Sequence, residues 1–247
     1  MIDNMSLPGR KCRGSVDMLP EDMARFRHVE DVFLDSCLNW GYQEVKTPTL
    51  EYLHLFTSTG TLTTSRLGRV SSFLDWDGWS GERVVLRPDC TIPVARMYIE
   101  SKPGRTDPAK LFYVMNVFAF EEKSNDSREK WQCGAEFVGG VSPLADAELM
   151  SIAVEVVKHL GLGDLEMKLS HVGVLRELLR SLALGEEEER DTLDQVLDGS
   201  PEALARVKGM NGNVAKVISL LFDHKSNSVG LLKNCRAMCG QGLAAVG

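Results

Sequence analysis

Apolar residues recur every three or four positions between residues 20 and 40. The stripe runs from Met23 to Trp40, and this spacing predicts one amphipathic helix. Pro20 suits the first helical turn, and Gly41 suits the left-handed conformation that commonly follows the last one. The sequence therefore predicts a helix over 20–40 and specifies both of its ends.

Shorter apolar runs follow, and their length and spacing predict strands. Strands are expected at residues 42–48, 73–78, 83–86, 111–120 and 131–138. Helices are expected at residues 92–100 and 142–160, the second with Pro143 at its start and Gly161 after its end. The run 111–120 is almost wholly apolar, as in a strand buried on both faces.

Beyond residue 172 the pattern changes to short helical repeats punctuated by Gly and Ser. Helices are predicted at residues 174–182, 187–197, 201–207 and 214–222. The acidic run 186–189 requires solvent. We therefore expect an α+β core over residues 1–171, followed over 172–247 by a helical insertion and the start of a further segment.

Composition narrows the class of protein. The chain has 247 residues, of which 43% are hydrophobic and 26% charged, values that exclude collagen-like and disordered chains. A net charge of −7 argues against non-specific nucleic-acid binding. The chain has no run of about 18 apolar residues and no apolar signal segment at its start. We therefore expect a cytoplasmic protein without a membrane span.

Cysteine and histidine usage points to no metal site. The six cysteines are irregularly spaced, and the one close pair, Cys235 and Cys239, has no second pair or histidine nearby. The five histidines never fall four residues apart, as two metal ligands on a helix would. We expect free thiols, no metal and no cofactor.

The alternating strand 131–138 has two distinct faces. Trp131 and Cys133 are expected to point into a core, with Ala135 and Phe137, because side chains alternate along a strand. Gln132, Gly134 and Glu136 then share the other face. An amide and a carboxylate about 13 Å apart along the strand, with a glycine between them, could bracket a small amine-bearing molecule. The alternative is a solvent-facing sheet surface.

A second candidate lies at the turn 87–91. Arg87, Asp89 and Thr91 cluster there just before a predicted helix, and Arg96 follows on that helix. Turns between a strand and a helix often carry binding residues on a rigid support. The alternative is that Asp89 or Thr91 only caps the helix.

A third candidate is the charged loop 121–130. As a mobile cover for an anionic ligand it offers Arg128 as its best donor, and Arg87 is a second possible anion-binding residue. The alternative is a solvated hairpin tip. Motifs for Gly-x-Ser-x-Gly hydrolases, P-loop proteins and Rossmann proteins are absent from the sequence.

Taken together, these segments resemble the histidyl branch of the class II aminoacyl-tRNA synthetases. Residues 41–51 resemble motif 1 of that superfamily. Residues 86–96, 111–118 and 128–139 resemble motif 2 and its surroundings, and residues 146–148 match the branch as well. The resemblance implies an α+β fold in which an antiparallel sheet is flanked by helices, with a helical insertion.

Two families share this scaffold: histidyl-tRNA synthetase and the regulatory subunit of ATP phosphoribosyltransferase. The resemblance places Asp89, Thr91, Gln132 and Glu136 where the synthetase holds histidine. It also implies that an arginine should stand at position 119 to hold the α-phosphate of ATP. Ala119 stands there instead, and losing such a contact removes several kcal/mol of transition-state stabilisation.

The departures favour the regulatory family, so no catalytic residue is assigned. The resemblance then implies a non-catalytic subunit that senses L-histidine and partners the short-form catalytic subunit in histidine biosynthesis. It also implies a homodimer formed through motif 1, within a larger hetero-oligomer. Binding of tRNA is not expected of this acidic chain. The alternatives are a divergent or truncated histidyl-tRNA synthetase and a dimeric histidine-binding module with some other partner.

Overall fold

The computed structural model forms two compact units, Met1–Leu165 and Glu166–Gly247. The structure describes residues 11–12, 14–60, 62, 67–75, 81–101, 104, 107–118, 127–167, 169, 172–180, 182, 184–197 and 200–209. The sequence placed the corresponding boundary a few residues later, between 171 and 172.

The first unit alternates helices and strands. Its helices are α1 (Pro20–Asn39), α2 (Leu53–Ser58), α3 (Thr91–Ser101) and α4 (Pro143–His159). Its strands are β1 (Gln43–Glu44), β2 (Leu50–Tyr52), β3 (Ser72–Leu74), β4 (Arg83–Leu86), β5 (Ala109–Phe118) and β6 (Glu129–Val138), with a 3₁₀ turn at Leu67–Arg69.

These strands form two three-stranded sheets. Sheet A has the order β1-β5-β6, and sheet B has the order β2-β4-β3. The hairpin β5–β6 is antiparallel over ten residue pairs, from Ala109 opposite Val138 to Phe118 opposite Glu129. Sheet B is antiparallel throughout, whereas β1 runs parallel to β5. The expected antiparallel pairing is thus found in sheet B and between β5 and β6, whereas β1 pairs with β5 in parallel, with sheet B and α3 forming the connection between them.

Sheet A carries apolar packing on both faces, which explains the continuous apolar run of β5. On one face, Phe112 packs with Phe33 and Cys37 of α1 and with Ile152 of α4. On the other face, Leu111, Tyr113 and Met115 pack with Cys90 and with Val94 of α3. Two-sided burial of β5 is thus confirmed, and the two faces have different neighbours.

The ends of the two long helices follow the sequence. Gly41 has φ +79°, and the amides of Gly41 and Tyr42 donate to the carbonyls of Leu38 and Cys37. This is the Schellman arrangement that a glycine after a helix end predicts. At the start of α4, the Ser142 hydroxyl accepts a hydrogen bond from the Ala145 amide at 3.2 Å.

Some local predictions differ from the structure. The strand expected over 42–48 is reduced to β1, since Pro48 and the segment before it leave sheet A toward sheet B. Strand β2 and helix α2 were not predicted, because this stretch is too short for a periodic signal. Trp131 was expected in the core but is 48% exposed, and its ring makes an edge contact with Phe26 of α1. Cys133 is exposed as well, since the helices cover the later half of β6 more closely.

Arg87 joins the two sheets. It lies just after β4, and only 2% of its surface is exposed. Its guanidinium donates to the carbonyls of Thr47 at 2.8 Å, Pro48 at 3.0 Å and Asn116 at 2.7 Å, and to Oδ1 of Asn116 at 2.7 Å. Its own backbone completes the junction, because its amide donates to the Thr49 carbonyl and its carbonyl accepts from Phe118.

The second unit contains three described helices, α5 (Val172–Arg180), α6 (Glu186–Leu197) and α7 (Pro201–Gly209). Each buries apolar side chains, which are Leu175, Leu178 and Leu179 in α5, Leu193 and Val196 in α6, and Ala203 and Val207 in α7. Helical character after residue 172 is therefore confirmed for these three segments. The helix expected over 214–222 lies outside the described residues.

Among the described residues, no helix combines the length and the apolar character needed to cross a bilayer.

The junction at Arg87 predicts a large loss of stability when it is removed. Arg87→Met should lower the free energy of unfolding by about 3–5 kcal/mol, because the carbonyls of Thr47, Pro48 and Asn116 lose their donor. Urea unfolding followed by circular dichroism measures the change. Arg83→Met is the matched control, since Arg83 is an exposed arginine of β4 bound to Ser72. An equal, small loss in both variants would contradict the role assigned to Arg87.

Candidate ligand-binding site

The site is built around the Glu136 carboxylate on β6. Its Oε1 atom accepts a hydrogen bond from the Thr91 hydroxyl at 2.8 Å and another from the Tyr113 hydroxyl at 3.1 Å. Thr91 is the first residue of α3, and Tyr113 belongs to β5. Three elements that are distant in sequence therefore meet at one carboxylate oxygen.

Strand register explains how these side chains come together. Tyr113 lies opposite Gly134, and Leu111 lies opposite Glu136, so all four residues share one face of sheet A. That face is the one covered by α3. The prediction that Gln132, Gly134 and Glu136 share a face is confirmed by this register, since Gln132 lies opposite Met115 on the same side.

Gly134 makes room for the ring of Tyr113. A β-carbon at position 134 would lie 2.2 Å from Cζ and 2.3 Å from the hydroxyl oxygen of Tyr113. The sequence suggested that a ligand approaches the backbone at this glycine, and the structure corrects that interpretation. The tyrosine ring occupies the space, and the glycine lets its hydroxyl reach Glu136.

Burial keeps the hydroxyl of Tyr113 protonated. Only 1% of Tyr113 is exposed, and burial raises the pKa of its phenol well above the ordinary value, with the negative charge of Glu136 adding to the shift. Burial also raises the pKa of the adjacent Cys90 thiol to about 11. Near neutral pH both groups are therefore uncharged, and Tyr113 acts as a hydrogen-bond donor to the carboxylate.

Asp89 has a structural contact in addition to its candidate role. Its Oδ1 atom accepts a hydrogen bond from the Ile92 amide at 3.1 Å, which satisfies one of the unpaired amides in the first turn of α3. The capping alternative raised by the sequence is thus observed for Asp89, whereas Thr91 uses its side chain on Glu136 instead. Asp89 is half-buried next to the same helix end.

Gln132 has a buried polar atom that the described residues leave unsatisfied. Its Oε1 is buried without a hydrogen-bond partner among them. A buried carbonyl oxygen without a donor is costly, and a ligand that brings an N–H group would remove the cost. Gln132 thus presents an acceptor on the face that also carries Glu136.

The two arginines that the sequence offered as anion-binding residues make their described contacts with residues other than Glu136. The Nε, Nη1 and Nη2 atoms of Arg87 all donate to protein oxygens at the sheet junction, and anion binding by Arg87 stays a prediction. Arg128 is exposed, and its amide donates to the Gly14 carbonyl at 2.7 Å. Its side chain lies against Gly14, where a β-carbon would come within 2.6 Å of the Arg128 Cγ. Anion binding by Arg128 stays a prediction.

Sequence reasoning missed Tyr113. The only signal was a tyrosine inside an otherwise apolar run, which implies that its hydroxyl has a buried partner. Ala119 and most of the charged loop lie outside the described residues. Within the described part of the chain, no group of three His, Cys, Asp or Glu side chains is arranged to hold a metal ion.

The arrangement is suited to binding a small cationic or N–H-bearing molecule. The Glu136 carboxylate and the buried Gln132 amide oxygen supply acceptors on one face of sheet A, and the Asp89 carboxylate lies at the start of α3, which covers that face. Hydroxyl donors fix the orientation of Glu136 before any ligand arrives, which reduces the entropy lost on binding.

Comparison with known protein families shows to which family the chain belongs. The family model described as histidyl-tRNA synthetase matches residues 14–245. The chain belongs to the histidyl-tRNA synthetase family. Within this family it is 50% identical over 230 residues to the ATP phosphoribosyltransferase regulatory subunit of Dehalococcoides mccartyi strain BAV1, covering 93% of this chain and 56% of the relative.

Members named as ligases are also similar. The histidine–tRNA ligase of Methanosarcina acetivorans is 40% identical over 172 residues, covering 69% of this chain and 40% of the ligase. The chain thus spans about half the length of the curated relatives it matches.

Solved structures confirm the fold of the family. A crystal structure from Bacillus halodurans, titled as an ATP phosphoribosyltransferase regulatory subunit/histidyl-tRNA synthetase, has a TM-score of 0.78 at 24% identity. It covers 94% of this chain and 60% of the other. The histidyl-tRNA synthetase of Nostoc sp. PCC 7120 has a TM-score of 0.70 at 20% identity, covering 92% and 51%. The predicted class II synthetase-like α+β fold is therefore confirmed.

The contact between Tyr113 and Gly134 predicts a specific packing defect. Gly134→Ala should lower the free energy of unfolding by about 1–3 kcal/mol, because the added methyl group overlaps the ring. In a Tyr113→Leu background the same change should cost at least about 1 kcal/mol less. Thermal and urea unfolding of the wild type, the two single variants and the double variant measures this coupling.

Gly163→Ala is the control, because a β-carbon there would meet nothing within 4 Å. Equal costs of Gly134→Ala in the two backgrounds would show that the tyrosine ring is not what the glycine accommodates.

Proposed function

We propose that the whole protein is the regulatory subunit of an ATP phosphoribosyltransferase and binds L-histidine at Asp89, Thr91, Gln132 and Glu136. The observation that carries the proposal is the Glu136 carboxylate, held by two hydroxyls on the same sheet face as the unsatisfied Gln132 oxygen. Histidine brings the complementary groups, an α-ammonium and an imidazole with N–H donors.

Sequence identity supports the regulatory assignment over the ligase. The relative from Dehalococcoides mccartyi named as a regulatory subunit is 50% identical over most of this chain, against 40% over a shorter stretch for the Methanosarcina ligase. Ala119 supports it too, because the family resemblance places an ATP-binding arginine at that position in the ligase. Histidine–tRNA ligase remains the second candidate, favoured by the same family model and by those ligase relatives.

A regulatory subunit without adenylation chemistry acts through its partner. Histidine then shifts an equilibrium between states of the complex, and it does so only if it binds those states with different affinity. We propose the short-form catalytic subunit as that partner, a homodimer formed through the segment Tyr42–Glu51, and a cytoplasmic location. Strand β2 supports the dimer, since Leu50 and Tyr52 are 40% and 44% exposed there.

Histidine binding is the first test. Titration calorimetry on the whole protein should give a Kd between micromolar and millimolar, about −4 to −8 kcal/mol. Glu136→Ala should weaken binding by at least about 1.5 kcal/mol, because a charge-assisted hydrogen bond is lost. Glu21→Ala, at an exposed carboxylate of α1, is the matched control and should leave the Kd within twofold. Equal binding of lysine or leucine would remove the assigned specificity.

The partner is tested with the catalytic subunit from the same organism. Size-exclusion chromatography with light scattering should show a homodimer that co-elutes with that subunit, and the phosphoribosyltransferase rate should rise. Histidine should change the affinity between the two proteins, and the partner should change the histidine affinity by the same factor, about 5–150-fold.

Histidine-dependent ATP–pyrophosphate exchange separates the two candidates. No exchange is expected of a regulatory subunit, and Ala119→Arg alone should not create it. Exchange by the unaltered protein, with no complex and no rate change, would favour the ligase.

A further inference from the structure

Arg96 has no role in the site described so far, yet it makes the most extensive ion-pair contacts of α3. Its Nε and Nη2 atoms donate to Oε2 and Oε1 of Glu51 at 2.9 and 2.6 Å, a bidentate pair. Its Nη1 atom donates to Glu100 at 2.5 Å, one helical turn later. Glu51 is only 7% exposed, so this pair is largely removed from water.

The pair links α3 to sheet B, whereas the ligand site lies on sheet A. Glu51 belongs to β2 of sheet B. Along α3, Val94 packs into the cluster of Leu111, Tyr113 and Met115 on sheet A, and Ile92 packs against Phe56 and Val85 on the side of sheet B. The helix is thus wedged between the two sheets, and apolar packing of this kind tolerates small sliding movements.

A directional contact is needed to fix the position of α3 along its axis. Arg96 provides one, because a planar guanidinium bound to both oxygens of a carboxylate tolerates little displacement. Thr91 precedes Arg96 by five residues, about 7.5 Å along the same helix. A displacement at Arg96 is therefore passed on to the Thr91 hydroxyl, whose 2.8 Å bond to Glu136 weakens steeply as it lengthens or tilts.

We propose that Glu51 and Arg96 are positioning residues of the ligand site. They hold α3 so that Thr91 donates to Glu136, and they thereby connect sheet B to a carboxylate on sheet A. The effect on histidine affinity rests on the proposed function, whereas the effect on the geometry of Thr91 does not.

The geometry is tested without ligand. Methyl NMR of the whole protein, labelled at threonine, reports the environment of the Thr91 methyl group. Arg96→Lys and Glu51→Gln should shift the Thr91 signal in the same direction, and Thr91 is identified by its absence in Thr91→Val. Two variants are used so that one remains informative if the other fails to fold.

Lys110→Met is the matched control. Lys110 forms a 2.6 Å ion pair with Glu148 of α4, which packs on the opposite face of sheet A. This variant should lower the melting temperature but leave the Thr91 signal in place. A Thr91 signal unchanged in both Arg96→Lys and Glu51→Gln, or moved equally by Lys110→Met, would overturn the proposal.

Affinity is tested by calorimetry with L-histidine. Arg96→Lys should raise the Kd by about 5- to 20-fold, and Thr91→Val by a similar factor. The double variant should bind no more than about twofold more weakly than Thr91→Val alone, because Arg96 acts through Thr91.

The outcomes separate the two proposals. If the wild type binds histidine, either of two results would overturn the positioning role. One is an unchanged Kd in Arg96→Lys, and the other is a double variant whose Kd rises by the product of the two single-variant factors. A wild type that binds no histidine would overturn the proposed function. A shifted Thr91 signal in that case would still support the link between sheet B and Glu136.

Discussion

The guanidinium of Arg87 is the interaction on which the first unit depends. It is buried and donates to oxygens of two separate segments, residues 47–48 and 116, while the Arg87 backbone bonds to Thr49 and Phe118. An uncompensated cation would be costly at this depth, so the carbonyl dipoles around it stabilise the charge at the same time as the charge holds the strands together. Sheets A and B, and the turn that leads into α3, take their relative positions from this junction.

Long periodic segments were predictable because their signal is local. Helix α1 was expected over 20–40 and is observed over Pro20–Asn39, ending in the conformation that Gly41 implied. The alternation along strand β6 was predicted correctly, since a period of two places Gln132 and Glu136 on one face whatever the partner strand is. The fold and the four ligand-site candidates came from the resemblance to the synthetase family. That resemblance depends on the identity of particular residues, which hydrophobic periodicity does not reveal.

Features that depend on partners distant in sequence were not predictable. Arg87 looked like an anion-binding residue, because nothing local shows that carbonyls 40 and 29 residues away accept its hydrogen bonds. Gly134 looked like an opening for a ligand, because the register that sets Tyr113 opposite it appears only when β5 and β6 pair. The exposure of Trp131 likewise depends on how far α1 reaches along the sheet.

The two hydroxyls on Glu136 have a consequence for chemical selectivity. Both Thr91 and Tyr113 donate to the same oxygen, Oε1, which uses its two lone-pair directions. The carboxylate therefore offers an incoming molecule one oxygen rather than two. A planar guanidinium binds best when both oxygens accept in parallel, whereas an ammonium or an imidazole N–H needs only one. Because both acceptor positions of Oε1 are already used, molecules that carry a guanidinium are disfavoured at this position without any steric barrier.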